Sequence, residues 1–143
     1  MKSKKWLAGF AVGAMLASGG AMAAVNADHV HIALSSLRLA LVKASVANTM
    51  LAGTTPSSNE QAHVAAPDKL VDEEIRAIIV SEGGVINVYL TPRAGVTGGI
   101  LQLVPAIGTT KGGEKDVQFT CYSPNIPDIA TAAPECTFHP PAK

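Results

Sequence analysis

The chain has 143 residues, with eleven Lys and Arg against eleven Asp and Glu, 48% hydrophobic residues and 4% aromatic. That length holds one domain with one modest core. A balanced charge with no Lys/Arg cluster in the body of the chain argues against non-specific binding to a phosphate backbone, so no nucleic-acid partner is expected.

The first residues read as an address. Met1-Lys2-Ser3-Lys4-Lys5 is a basic n-region, Trp6 to about Ser18 an apolar h-region, and Ala21-Met22-Ala23 a small-x-small cleavage site. This is the anatomy of a secretory signal peptide over residues 1–23. The apolar run is too short and glycine-rich for a membrane span, so none is expected in the mature chain. Cleavage after Ala23 leaves 120 residues, 24–143. Lys2, Lys4 and Lys5 depart with the leader, leaving eight basic groups against eleven acidic ones. The expected location is the periplasm or outside the cell.

Asn26 and Asp28 then offer N-cap residues to a stretch without Pro or Gly, His29 to Ala52. Apolar residues recur in steps of three and four along two stripes: Val30, Leu34, Leu37 and Leu41, and Leu39, Val42, Val46 and Met50. The spacing predicts one amphipathic helix over 29–52, about 36 Å long, stopped by Gly53. Ser35, Ser36, Arg38, Lys43, Ser45 and Asn48 mark its wetter face. If one stripe packs on a sheet, residues such as Val30, Leu34 and Leu41 need cover from a partner helix or a second copy, unless the sheet curves round to reach them.

Residues 54–67, TTPSSNEQAHVAAP, read as a loop, long enough to be mobile or functional. Asp68 to Glu74 is an acidic lead-in. Four strands follow over 75–122: Ile75–Ser81, Val85–Thr91, Ile100 to about Ile107, and Lys115–Tyr122. Gly-bearing turns join them, which predicts an antiparallel meander. Pro105 marks an edge position or a strand end. A helix before such a meander predicts an α+β fold, with the helix laid on one face of a four-stranded antiparallel sheet.

Cys121 and Cys136 are the only cysteines. Free thiols or a metal pair are alternatives. An exported chain with two cysteines and no CxxC favours a disulfide closing the loop 121–136. Such a bridge contributes roughly 3 kcal/mol for a loop of about 15 residues. Pro124, Pro127 and Pro134 stiffen that loop, and Tyr122, Asn125, Ile126, Asp128 and Ile129 are its candidate partner-binding residues. The alternative is that the loop only seals one edge of the sheet.

The order of these parts resembles the globular head of a type IV pilin. Leu90-Thr91-Pro92, the turn Gly98-Gly99, the strand Phe119-Thr120-Cys121 and the segment Ala132-Ala-Pro-Glu-Cys136 fall in the pilin order, over roughly Val30 to Phe138. The resemblance implies a pilin-like fold and a non-enzymatic role in a Gram-negative envelope. It implies protein partners: subunits of a pilus or secretion system, or further copies of the same chain. It also assigns the disulfide loop to subunit contacts or surface adhesion. The leader departs from the pilin pattern. A Gly9-Phe10 pair exists, but the fifth residue from Phe10 is Ala14 where a pilin has Glu, and Gly13, Gly19 and Gly20 follow. The head therefore sits behind an ordinary signal peptide.

Catalytic and metal signatures are sparse. There is no G-x-S-x-G elbow, no P-loop and no G-x-G-x-x-G. Asp72-Glu73-Glu74 reads more readily as a solvated acidic turn than as an acid/base site. His29 and His31 are the metal candidates, but on a helix i and i+2 do not face each other, and solvated histidines at a helix start are the simpler account. No enzyme and no cofactor are expected. The alternative function is a periplasmic or secreted module binding a small ligand, a surface or a metal.

Overall fold

The computed structural model describes residues 24–141; the expected signal peptide, 1–23, lies outside them. The expected single helix is two: α1 (Ala27–Leu34) and α2 (Leu37–Leu51), bent by 45° at the break. Asn26, rather than Asp28, caps α1, its Oδ1 accepting the His29 N–H at 3.2 Å. The break falls at Ser35-Ser36. Ser36 has extended backbone, and its hydroxyl accepts the Arg38 N–H at 3.2 Å, which starts a second helix. Ser36 Oγ also donates to Asp72 Oδ2 at 3.1 Å, tying the elbow to the lead-in of the sheet. Serine hydroxyls compete with helix continuation in this way, so the pair acts as a cap and not as two wet helical positions. Gly53 follows α2 with φ of 102°, as expected of a terminating glycine.

The sheet is five-stranded and mixed, not four-stranded and antiparallel. Its order is β1 (Ile75–Ser81), β2 (Val85–Leu90), β3 (Ile100–Thr109), β4 (Lys115–Ser123) and β5 (Cys136–Phe138). The first four form the expected antiparallel meander, in registers such as Ile78↔Val88, Val88↔Leu101 and Leu103↔Cys121. β5 runs parallel to β4, with Cys121 opposite Cys136 and Tyr122 opposite Thr137. A parallel neighbour needs a crossover connection, and here the disulfide loop with its short helix α3 (Ile129–Ala132) supplies it. Pro105 lies inside β3, beyond Leu103, the last residue paired with β2, so no strand pairs with that flank. A residue without an N–H is tolerated there.

Alternation of side chains puts Val80, Ile86, Val88, Leu101, Leu103 and Cys121 on one buried face. A bulge between Ile75 and Ala77 lets Ile75 join Ile78 on the same face. Val30 and Ala33 from α1, and Leu39, Val42, Val46 and Met50 from α2, join this face in the core cluster, together with residues such as Ala62, Ile126 and Ile129. The fold is thus a helix layer on one face of a sheet. Residues 54–67 are pinned along the outer edge of β1. Asn59 donates to Ile78 C=O at 3.0 Å and accepts the Val80 N–H at 2.6 Å, while Pro56 C=O accepts the Gly84 N–H at 2.9 Å. The loop therefore covers an edge that otherwise presents unpaired backbone.

Candidate functional site

Three regions carry the residues of interest: the disulfide loop, the elbow between the helices, and the outer face of α2. The Cys121–Cys136 disulfide is formed, with Cα atoms 4.5 Å apart and both residues buried. Of the five loop residues, Ile126 and Ile129 are fully buried rather than exposed. Ile126 lies against Gly99 in the β2–β3 turn, and α3, which carries Ile129, packs on α1, which is the work of apolar residues in a loop that must fold back on a core. Asn125 is exposed, yet its side chain accepts the Ile100 N–H at 3.0 Å and donates to Gly98 C=O at 2.8 Å, holding the loop to the β2–β3 turn. Tyr122 is half-buried and meets His139 edge-on, with ring centroids 5.5 Å apart. Asp128 alone of the five is exposed without a side-chain hydrogen bond among the described residues.

At the elbow, Glu74 is buried, with a side-chain exposure of 6%, contrary to its reading as part of a solvated turn. His29 Nδ1 lies 3.0 and 2.9 Å from its two carboxylate oxygens, and Arg93 Nε donates to Oε1 at 3.2 Å. The ring nitrogen facing a carboxylate is the donor, which fixes the orientation of the imidazole. His29 is therefore a structural clamp between α1 and the start of β1, not a solvated helix-start histidine; His31 is exposed. Asp72 Oδ1 accepts the N–H groups of Glu74 and Ile75 at 2.9 and 2.8 Å. Among the described residues, no group of three or more His, Cys, Asp or Glu is placed to hold a metal ion.

Beside this cluster a cleft of about 640 Å³ opens, lined among others by His31, Ile32, Leu37, Arg38, Glu73 and Arg93. Its polar groups largely serve one another. Ser36 donates to Asp72, and Arg93 reaches both Glu73, at 3.4 Å, and Glu74.

The outer face of α2 is the third region. The inner stripe, Leu39, Val42, Val46 and Met50, is buried. The opposite stripe is apolar too, and it is open: Leu37 is 73% exposed, Leu41 58% and Leu51 44%. Ile32 continues it across the elbow at 52%. The sheet does not curve round to cover it. Of the residues expected to need cover, Val30 is buried, Leu34 half-buried and Leu41 exposed, because the elbow turns α1 into the core while α2 keeps one flank in solvent. Among the described residues no single helix is long and apolar enough to cross a membrane. No protein-family model matches the chain, and no curated protein matches it.

Proposed function

We propose that the protein is an exported, non-enzymatic, pilin-like envelope protein that acts by protein–protein contact, as a subunit or soluble accessory of a type IV pilus or a related secretion system. The observation that carries the contact reading is the two-sided α2, with one apolar stripe in the core and a second, Leu37, Leu41 and Leu51, in solvent. An apolar stripe of this length on a helix is a docking surface more readily than a solvated one. The order of helix, connecting loop, antiparallel meander and disulfide-closed C-terminal loop supports the pilin-like part of the reading.

The test is cross-linking in the native envelope from a photoreactive residue at position 41, with position 104 on the opposite face of the sheet as control. The proposal expects a discrete protein adduct from 41 and none from 104. Equal, diffuse labelling from both positions contradicts it.

A second reading, a binding module, is favoured by the elbow cleft with its mix of Ile32, Leu37 and charged groups. It expects saturable uptake of a small ligand that Arg93→Ala weakens and Leu51→Ser leaves unchanged.

A further inference from the structure

We infer that the recess between residues 58–67 and the free edge of β1 is a binding site for a small apolar ammonium, an alkyl chain carrying a protonated primary amine. The recess has a volume of about 470 Å³. Small-molecule sites run from roughly 300 to 1,000 Å³. Its walls are apolar: Val64, Ala66 and Pro67 from the loop, and Ile79 from β1. It shares no lining residue with the elbow cleft.

The polar groups of the recess choose the ligand. Asn59 is fully engaged: its amide donates to Ala65 C=O and Ile78 C=O and accepts the Val80 N–H. Ser58 Oγ accepts the Gln61 N–H at 3.1 Å. Two further groups remain, and both are acceptors. Glu60 is the one charged residue lining the recess, and its carboxylate makes no ion pair among the described residues. The other is the Val80 carbonyl. Within a strand the N–H and C=O of one residue point to the same side. Asn59 takes the Val80 N–H on the free side of β1, so the Val80 carbonyl faces that side too. No backbone N–H from a loop or turn reaches it, and Val80 is 2% exposed. A buried acceptor calls for a donor, and a carboxylate beside it favours a cation and repels an anion. An alkylammonium head meets both demands, and its chain matches the apolar walls.

The loop is shaped before any ligand arrives. Val64 N–H donates to Asn59 C=O and His63 N–H to Glu60 C=O, each at 3.0 Å, and Ala62 between them is fully buried in the core. His63 has φ of 62° and is the one non-glycine residue with positive φ among the described residues. A side chain holds that conformation only where its surroundings impose it. The turn that carries Glu60 and Val64 is therefore fixed against β1, which lowers the ordering cost of binding.

The experiment is an NMR titration of the purified, disulfide-intact protein with n-hexylammonium chloride, hexan-1-ol and sodium hexanoate. The methyl groups of Val64 and Ile79 report on the recess, and that of Ile32, at the elbow, is the control. The expected result is a saturable shift at Val64 and Ile79 and none at Ile32, with hexylammonium roughly fivefold tighter than hexan-1-ol and hexanoate without effect. Glu60→Gln is expected to weaken hexylammonium about three- to fivefold, the modest range of an exposed ion pair, and to leave hexan-1-ol unchanged. Ala66→Phe, at an exposed position, fills the recess and is expected to abolish binding with circular dichroism unchanged. The inference is overturned by the absence of a saturable shift, by hexylammonium no tighter than hexan-1-ol, by a Glu60→Gln variant that binds as before, by binding that survives Ala66→Phe, or by shifts centred on Ile32.

Discussion

Asn59 stands in for a sixth strand at Val80. Its side-chain amide accepts the Val80 N–H at 2.6 Å and donates to Ile78 C=O at 3.0 Å and Ala65 C=O at 2.9 Å. One side chain thus satisfies two groups on the free edge of β1 and one in its own loop. Asn59 is itself nearly buried, at 8% exposure, so water does not replace it.

Asn59→Ala is expected to leave those β1 groups unpaired and to cost about 2–4 kcal/mol. Asn59→Asp keeps an acceptor for Val80 but sets an oxygen against Ile78 C=O, and is expected to destabilise as well. Denaturant midpoints measure the loss. Hydrogen exchange at the Val80 amide localises it, and unchanged protection there contradicts this assignment.

Replacing both Cys121 and Cys136 by Ser is expected to cost about 3 kcal/mol through the freed loop. The chain is expected still to fold, because the buried side chains of Ile126 and Ile129 also anchor the loop in the core. Loss should fall first on β5, whose pairing is three residues long. Amide exchange along Cys136–Phe138 against Val85–Leu90 reads the difference.

The Glu74 cluster predicts an order. His29→Ala leaves a buried carboxylate with Arg93 alone, and is expected to cost about 2–3 kcal/mol. Arg93→Ala removes a side chain that is 51% exposed, and after solvent screening about 1 kcal/mol or less is expected. A double-mutant cycle of His29→Ala with Glu74→Ala should show coupling. The reverse ranking, or no coupling, means His29 does not clamp α1.

Gly95 has φ of 90°, and a β-carbon there meets the Ala24 carbonyl oxygen, while Asn26 N–H donates to Ala94 C=O at 2.7 Å. Gly95→Ala is expected to lift residues 24–26 from the turn and cost about 1–3 kcal/mol. Faster proteolysis within that segment, with the rest protected, is the local readout.

Periodicity made much of this legible. The meander follows from alternation in runs such as Val85–Leu90, and the inner stripe of α2 from its spacing. Three features carried no such signal. Ser35-Ser36 reads equally as wet helix or as a cap, and the choice depends on Asp72, far along the chain. Ile126 and Ile129 lie between prolines, where no period tells inside from outside. β5 is three residues long and owes its place to Cys121. The edge role of Asn59 and the partners of Glu74 are long-range pairings that local pattern does not encode.

The central claim is an exported, disulfide-closed head that works in a complex. Native mass spectrometry of the protein taken from its own envelope, before and after reduction, tests it most directly. The account predicts a chain that begins at Ala24, gains two hydrogens on reduction, and flies in part as a dimer or larger complex. A chain beginning at Phe10, or one that is monomeric throughout, contradicts it.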